Sequence, residues 1–187
     1  MENNQQEQKM SLREQAASAV GLTYLACSSH RLAISVFIRN GFGVNAFDPQ
    51  AFFTFFALLF LATGYGGFRL YFLCWLVVMA ARRVETLRLR LKGVRYHSRY
   101  PGYPYAAMLM PRVKTARDAD RAEPFLCLFA GALLATISMP VGLFVMAGFV
   151  TFTVCMVIDA TIDQRRMQAM FDAEVQMRYY AERFRKG

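Results

Sequence analysis

Few side chains in this sequence could do chemistry, and they do not converge. There are two histidines, His30 and His97. His97-Ser98-Arg99 sets a base, a hydroxyl and a cation side by side, but nucleophile, base and orienting group must meet in space, which one contiguous stretch does not show. Cys27, Cys74, Cys127 and Cys155 form no C-x-x-C pair. Each lies in or beside an apolar stretch, the pattern of small buried hydrophobes and not of a disulfide framework or zinc site. Gly64-Tyr65-Gly66-Gly67 is glycine-rich, but its context is apolar and not the strand–turn–helix of a phosphate cradle. No zincin, P-loop, G-x-S-x-G or dinucleotide fingerprint is present. No catalytic, cofactor-binding or metal-ligating residue is therefore expected.

Two stretches instead read as interaction elements. Tyr96-His97-Ser98-Arg99-Tyr100-Pro101-Gly102-Tyr103-Pro104-Tyr105 interleaves tyrosines with prolines, so it is neither helix nor central strand. Tyr96, Tyr100, Tyr103 and Tyr105 with Arg99 supply rigid amphipathic contact area for a partner or a lipid headgroup. The same residues equally suit an interfacial aromatic belt. In the last segment, Met167, Met170, Phe171, Val175 and Tyr179 recur at three- and four-residue steps among charges, an amphipathic helix that needs something to lie on. Met170 and Phe171 are its candidate contact residues. A third candidate is Arg69, the one charge in residues 51–81.

These elements must be positioned by two apolar blocks. Residues 124–158 hold 35 consecutive uncharged residues between Glu123 and Asp159. About 20 apolar residues cross a bilayer once, so this run exceeds one simple crossing. It divides at Ser138-Met139-Pro140-Val141-Gly142, which predicts a helical hairpin. Residues 51–81 carry two readings. A single long helix would bury Arg69 deep in the bilayer, at a cost of about 2.5–3.5 kcal/mol. A hairpin turning at Gly64-Tyr65-Gly66-Gly67 would leave Arg69 at the headgroups, with legs short for a bilayer or re-entrant. The hairpin is favoured. The blocks share Leu-Ala-Thr, at 61–63 and 134–136, and each is followed by a double arginine, a weak sign of internal duplication.

Elsewhere the signals are local. Residues 1–10 are polar and rich in Gln and Asn, predicting a disordered tail. Ser11-Leu12-Arg13-Glu14 fits a capping box and opens an amphipathic segment over 11–45, read as lying along the membrane surface or as packing into a core. Residues 82–92 continue the preceding helix to a stop at Gly93. Thr115-Ala116-Arg117-Asp118 predicts the N-cap of a short helix ending near Pro124.

Charge sets the topology. Residues 82–123 carry eleven Lys/Arg against four acids, and the tail after Ile158 carries six basic residues. The net charge of +9 then reflects positive-inside orientation and contact with anionic headgroups, and no nucleic-acid partner is expected. The fold class expected is an all-α integral membrane protein. It has two transmembrane hairpins (46–81, the shorter, and 124–158), an amphipathic N-terminal helix, a basic cytoplasmic segment (82–123) and a cytoplasmic helix (159–187). The functional expectation is a non-enzymatic subunit of a larger membrane assembly in a bacterial inner membrane, such as a secretion, conjugation or envelope machine. Its partners would be other subunits or copies of itself. A small oligomeric transporter or channel is the alternative, and a lipid-modifying enzyme the weaker one.

Overall fold

The computed structural model of the chain describes residues 2–40, 49–93, 103–110 and 113–186. Among them, regular structure is helical throughout apart from one isolated bridge between Asn40 and Tyr103. The elements are α1 (Glu2–Ile38), α2 (Pro49–Gly64), α3 (Gly66–Leu91), α4 (Tyr105–Met108), α5 (Ala116–Ala135) and α6 (Met139–Lys186). By length and composition α6 is the one described helix able to cross a membrane, and α2 is a shorter apolar helix.

Both apolar blocks fold back on themselves. After Gly64 a single residue, Tyr65, separates α2 from α3. The Phe55 and Phe72 rings lie 5.5 Å apart across that turn, where one continuous helix would hold them about 25 Å apart at 1.5 Å per residue. The second reversal occupies Thr136–Ser138, a few residues before the predicted centre. Pro140 falls in the first turn of α6, where a missing N–H costs no helical hydrogen bond. Phe125 and Phe149 meet across this hairpin at 5.6 Å. The two reversals adjoin each other. A Cβ on Gly67 would fall 2.2 Å from Ser138 Oγ and 3.7 Å from Val141.

The α5–α6 seam is built on small residues. A Cβ on Gly142 would fall 2.4 Å from the Ala135 backbone, and one on Gly131 would meet the Met146 backbone at 2.6 Å. Small side chains let two helix backbones approach this closely. Phe144 joins the halves of the molecule. Its ring meets His30 at 4.4 Å, Phe68 at 5.3 Å and Tyr71 at 5.7 Å.

Three local expectations are corrected or decided by the fold. α1 does not start at Ser11 after a disordered tail but is continuous from Glu2. Residues 2–20 contain neither Gly nor Pro and are dominated by strong helix formers such as Gln, Glu, Leu, Arg and Ala. Their polarity argues against packing, not against helix. Second, of the two readings of the 11–45 segment, the stretch around His30–Arg39 follows the packed one. Leu32, Ala33, Ile34, Val36 and Arg39 are all buried, so this part of α1 is the core element on which the hairpins close. Third, α5 begins at the predicted Thr115 capping box, with Thr115 Oγ1 accepting from the Asp118 N–H, but it runs through Pro124 to Ala135. One lost N–H is outweighed by packing of the flanking turns against α6. Gly93 adopts the left-handed conformation expected of a helix stop, with φ 77°.

The glycine seam yields a test. Gly142→Ala should separate α5 from α6 and lower the melting temperature of the detergent-solubilised protein by several degrees. Gly66→Ala, where an added Cβ meets nothing within 4 Å, should leave it within a degree or two of the parent. Equal melting temperatures for the two variants would show that the close approach is not sustained.

Candidate interaction sites

The strongest polar constellation lies where α1 docks on the second hairpin. Arg39 and Glu123 are each 1% exposed. The guanidinium donates through Nε to Glu123 Oε1 at 2.7 Å and through Nη2 to Glu123 Oε2, while Nη2 also reaches Asp120 Oδ1 at 2.7 Å. This two-pronged geometry is the strong form of an arginine–carboxylate pair. One α5 turn thus supplies both carboxylates, and the residue just after α1 supplies the fork.

A second clamp holds α1 to α6. Arg31 Nη1 donates to Asp159 Oδ2 at 3.0 Å, and the Tyr24 hydroxyl donates to Asp159 Oδ1 at 2.8 Å. The Arg31 guanidinium also lies over the Phe152 ring, 5.4 Å from its centroid. Between the clamps, His30 bridges to Thr151 Oγ1 at 2.8 Å and to the Phe144 carbonyl at 3.1 Å. The first hairpin attaches to the same helix. Thr54 donates to the Ser29 carbonyl at 2.9 Å and the Tyr71 hydroxyl to the Ala33 carbonyl at 3.0 Å. These residues were not singled out in the sequence. The legible signal was that Glu123 and Asp159 are the two charges bracketing the uncharged run, and that Arg31 and Arg39 lie about two turns apart in an otherwise apolar stretch.

The structure divides the tyrosine–proline stretch. Tyr96, Arg99 and Tyr100 lie outside the described residues. Tyr103 forms the backbone bridge to Asn40, and its side chain is exposed. Tyr105 opens α4, and its hydroxyl donates to the Phe37 carbonyl. This end of the stretch is therefore sewn onto the C-terminus of α1. Arg69 is exposed beside the first reversal, its Nε directed at the Ala62 carbonyl at 3.4 Å.

Met170 and Phe171 lie far along α6. The helix continues without interruption past Asp159, and every residue from 161 to 185 is exposed. About 27 residues beyond the Asp159 clamp correspond to roughly 40 Å of helix. Among the described residues no group of three His, Cys, Asp or Glu side chains is placed to hold a metal.

No protein-family model matches the chain, and comparison with curated proteins and with solved structures likewise returns no match.

The positions of the arginines predict opposite sensitivities. Arg69→Gln should change neither the yield nor the melting temperature of the purified protein appreciably, because its side chain is exposed and makes a single long contact. A fall as large as that of a core substitution would show that Arg69 is buried in the working molecule.

Proposed function

We propose that this chain is a non-enzymatic, membrane-integral subunit of a larger membrane assembly, of the kind that builds secretion, conjugation or envelope machines in a bacterial inner membrane. The observation that carries the reading is the division of α6. Its first half is packed into the bundle, and its second half projects as a bare helix with large apolar side chains exposed on it, among them Met167, Met170, Phe171, Val175 and Tyr179. Apolar surface of that extent marks a contact site.

The bundle itself supports insertion. Phe52, Phe56 and Phe60 on α2, Leu70, Leu73 and Val77 on α3, Phe129 and Leu133 on α5 and Leu143 and Val150 on α6 all face outward. In water these rings and branched chains would be costly, and in lipid they are at home. Two short hairpins entering from one side fit the adjacent reversals at Tyr65 and Ser138. They would place the basic 82–123 segment and both termini on the cytoplasmic face. The buried Arg39–Glu123 pair is how such a bundle tolerates charge near lipid, because each ion is screened by the other and not by water. Both groups are engaged in holding α1, which favours a structural role over an ion pathway. Met170, Phe171 and their neighbours are the cytoplasmic docking elements, with the tyrosine–proline stretch as a second surface.

Cysteines introduced at Gly93 and at the C-terminus of a variant lacking the native cysteines should both label from the cytoplasmic side, and one at Tyr65 from the opposite side. Labelling of the first two from opposite faces would refute the insertion. Phe171→Asp combined with Val175→Asp should leave insertion intact and remove co-purifying partner proteins in mild detergent. Unchanged partners would remove the assembly reading.

A further inference from the structure

Where α3 leaves the first apolar block it carries an open groove of about 430 Å³, lined by Ala81, Val84, Glu85, Arg88, Leu89 and Lys92. Its floor is apolar, made by Ala81, Val84 and Leu89. Its far end is cationic. Arg88 and Lys92 are both exposed, and among the described residues no acid forms an ion pair with either. Glu85, the acid in the groove, is taken by Arg82 at 3.2 Å. The groove also continues a longer stripe. Leu70, Leu73 and Val77 are exposed, and the steps from Leu70 through Leu73, Val77, Ala81, Val84 and Arg88 to Lys92 are all of three or four residues. They therefore share one side of α3. The buried Trp75, Met79 and Thr86 mark the opposite side, which faces the core.

We infer that this groove binds an anionic phospholipid, its phosphate between Arg88 and Lys92 and an acyl chain along Val84, Ala81 and Val77. The inference rests on the membrane-integral reading and names a lipid partner of the same bundle. Three observations select this occupant. First, the order along the stripe, apolar residues and then cations, is the order in which a phospholipid presents chain and phosphate to a helix leaving a bilayer. Second, the depth fits. Ala81 is the last residue of the 51–81 block, and Arg88 lies roughly 10 Å farther along the axis. Side chains on a helix lean toward its N-terminus, which for α3 is the reversal at Gly66. The Arg88 guanidinium thus leans back toward the headgroups. Third, the charge is complementary. A headgroup with net negative charge neutralises the two unpaired cations. A zwitterionic one would bring a further cation beside them.

The test titrates phosphatidylglycerol into micelles of the full-length, detergent-purified protein and counts bound lipids by native mass spectrometry. The parent should take up phosphatidylglycerol saturably, and phosphatidylcholine should not saturate over the same range. Arg88→Gln with Lys92→Gln should raise the half-saturating concentration about 25-fold, roughly fivefold for each cation removed. Arg183→Gln with Arg185→Gln takes the same charge from the exposed end of α6. It should leave binding nearly unchanged, because distant exposed charges are screened. Val84→Trp fills the floor without altering charge and should weaken binding severalfold. All three positions changed in the groove are exposed, so the melting temperatures of these variants should match the parent's. Equal binding of the two lipids, or equal losses for the two charge-removing pairs, would overturn the proposal. So would displacement of the lipid by inorganic phosphate at equal concentration, which would mark a site for a free anion. Lost selectivity with the Gly93 and C-terminal labelling pattern intact removes the site and leaves the membrane reading. Retained selectivity with that pattern broken removes the membrane reading and leaves the site.

Discussion

A guanidinium and a carboxylate withdrawn from water set the terms for the rest of this structure. Desolvating each ion costs several kcal/mol, and only close geometry with further hydrogen bonds offsets it. Arg39 obtains that geometry from Glu123 and adds Asp120 from the same α5 turn. The pair thereby fixes where α1 ends against α5. The chain after α1 is fixed by the same junction, through the Asn40–Tyr103 bridge and the Tyr105 hydroxyl on the Phe37 carbonyl. Arg31 and Tyr24 on Asp159 secure the other side of α1 where α6 leaves the bundle. Between these clamps α1 cannot slide or rotate without stranding a charge.

Once α1 is fixed, shape completes the core. Leu32, Ala33 and Val36 pack with Leu58, Trp75 and Met79 of the first hairpin. Ile34 packs with Cys127 and Phe152 of the second. Phe144 packs against all of these groups, and its edge-on ring contacts run to two helices, His30 on α1 and Phe68 and Tyr71 on α3. Gly148 lets α6 come close to α1, since a Cβ there would fall 2.6 Å from Ile34 Cδ1, and Phe144 and His30 meet between the same two helices. The inner faces are thus spoken for, and the outer faces of α2, α3, α5 and the first half of α6 remain apolar. On the proposed reading, that apolar outside is the surface that meets lipid. The exposed half of α6 is different in kind. It alternates apolar rows with charges, as a helix does when its surroundings are other helices in water.

What could be read from the sequence was local. The Thr115 cap, the Gly93 stop, the reversals near Gly64 and Ser138 and the unbroken run of α6 past Asp159 each depend on a handful of neighbouring residues, and each is present. What could not be read depended on partners far along the chain. Residues 28–39 are punctuated by Ser28, Ser29, His30, Arg31, Ser35 and Arg39, which dilute an apolar stripe into a surface-like pattern. Of these, His30, Arg31 and Arg39 are satisfied by Thr151, Asp159 and Glu123, between 84 and 128 residues away, and no periodicity announces such a match. Pro124 misled for the opposite reason, because a local helix-breaking signal lost to packing on both sides. Of the candidate contact residues, Met170 and Phe171 stand on an exposed helix. Tyr105 turned inward because a carbonyl at the end of α1 needed a donor.

A double-mutant cycle on Arg39 and Glu123, read by reversible unfolding of the purified protein in mild detergent, tests this account most directly. Arg39→Met and Glu123→Leu should each destabilise by about 3–5 kcal/mol, because each leaves a buried charge without its partner. The double variant, which removes both charges, should be more stable than either single one. Small and additive losses would contradict the account, since they would mean that the two groups reach water in the working molecule and that α1 is not held by this pair.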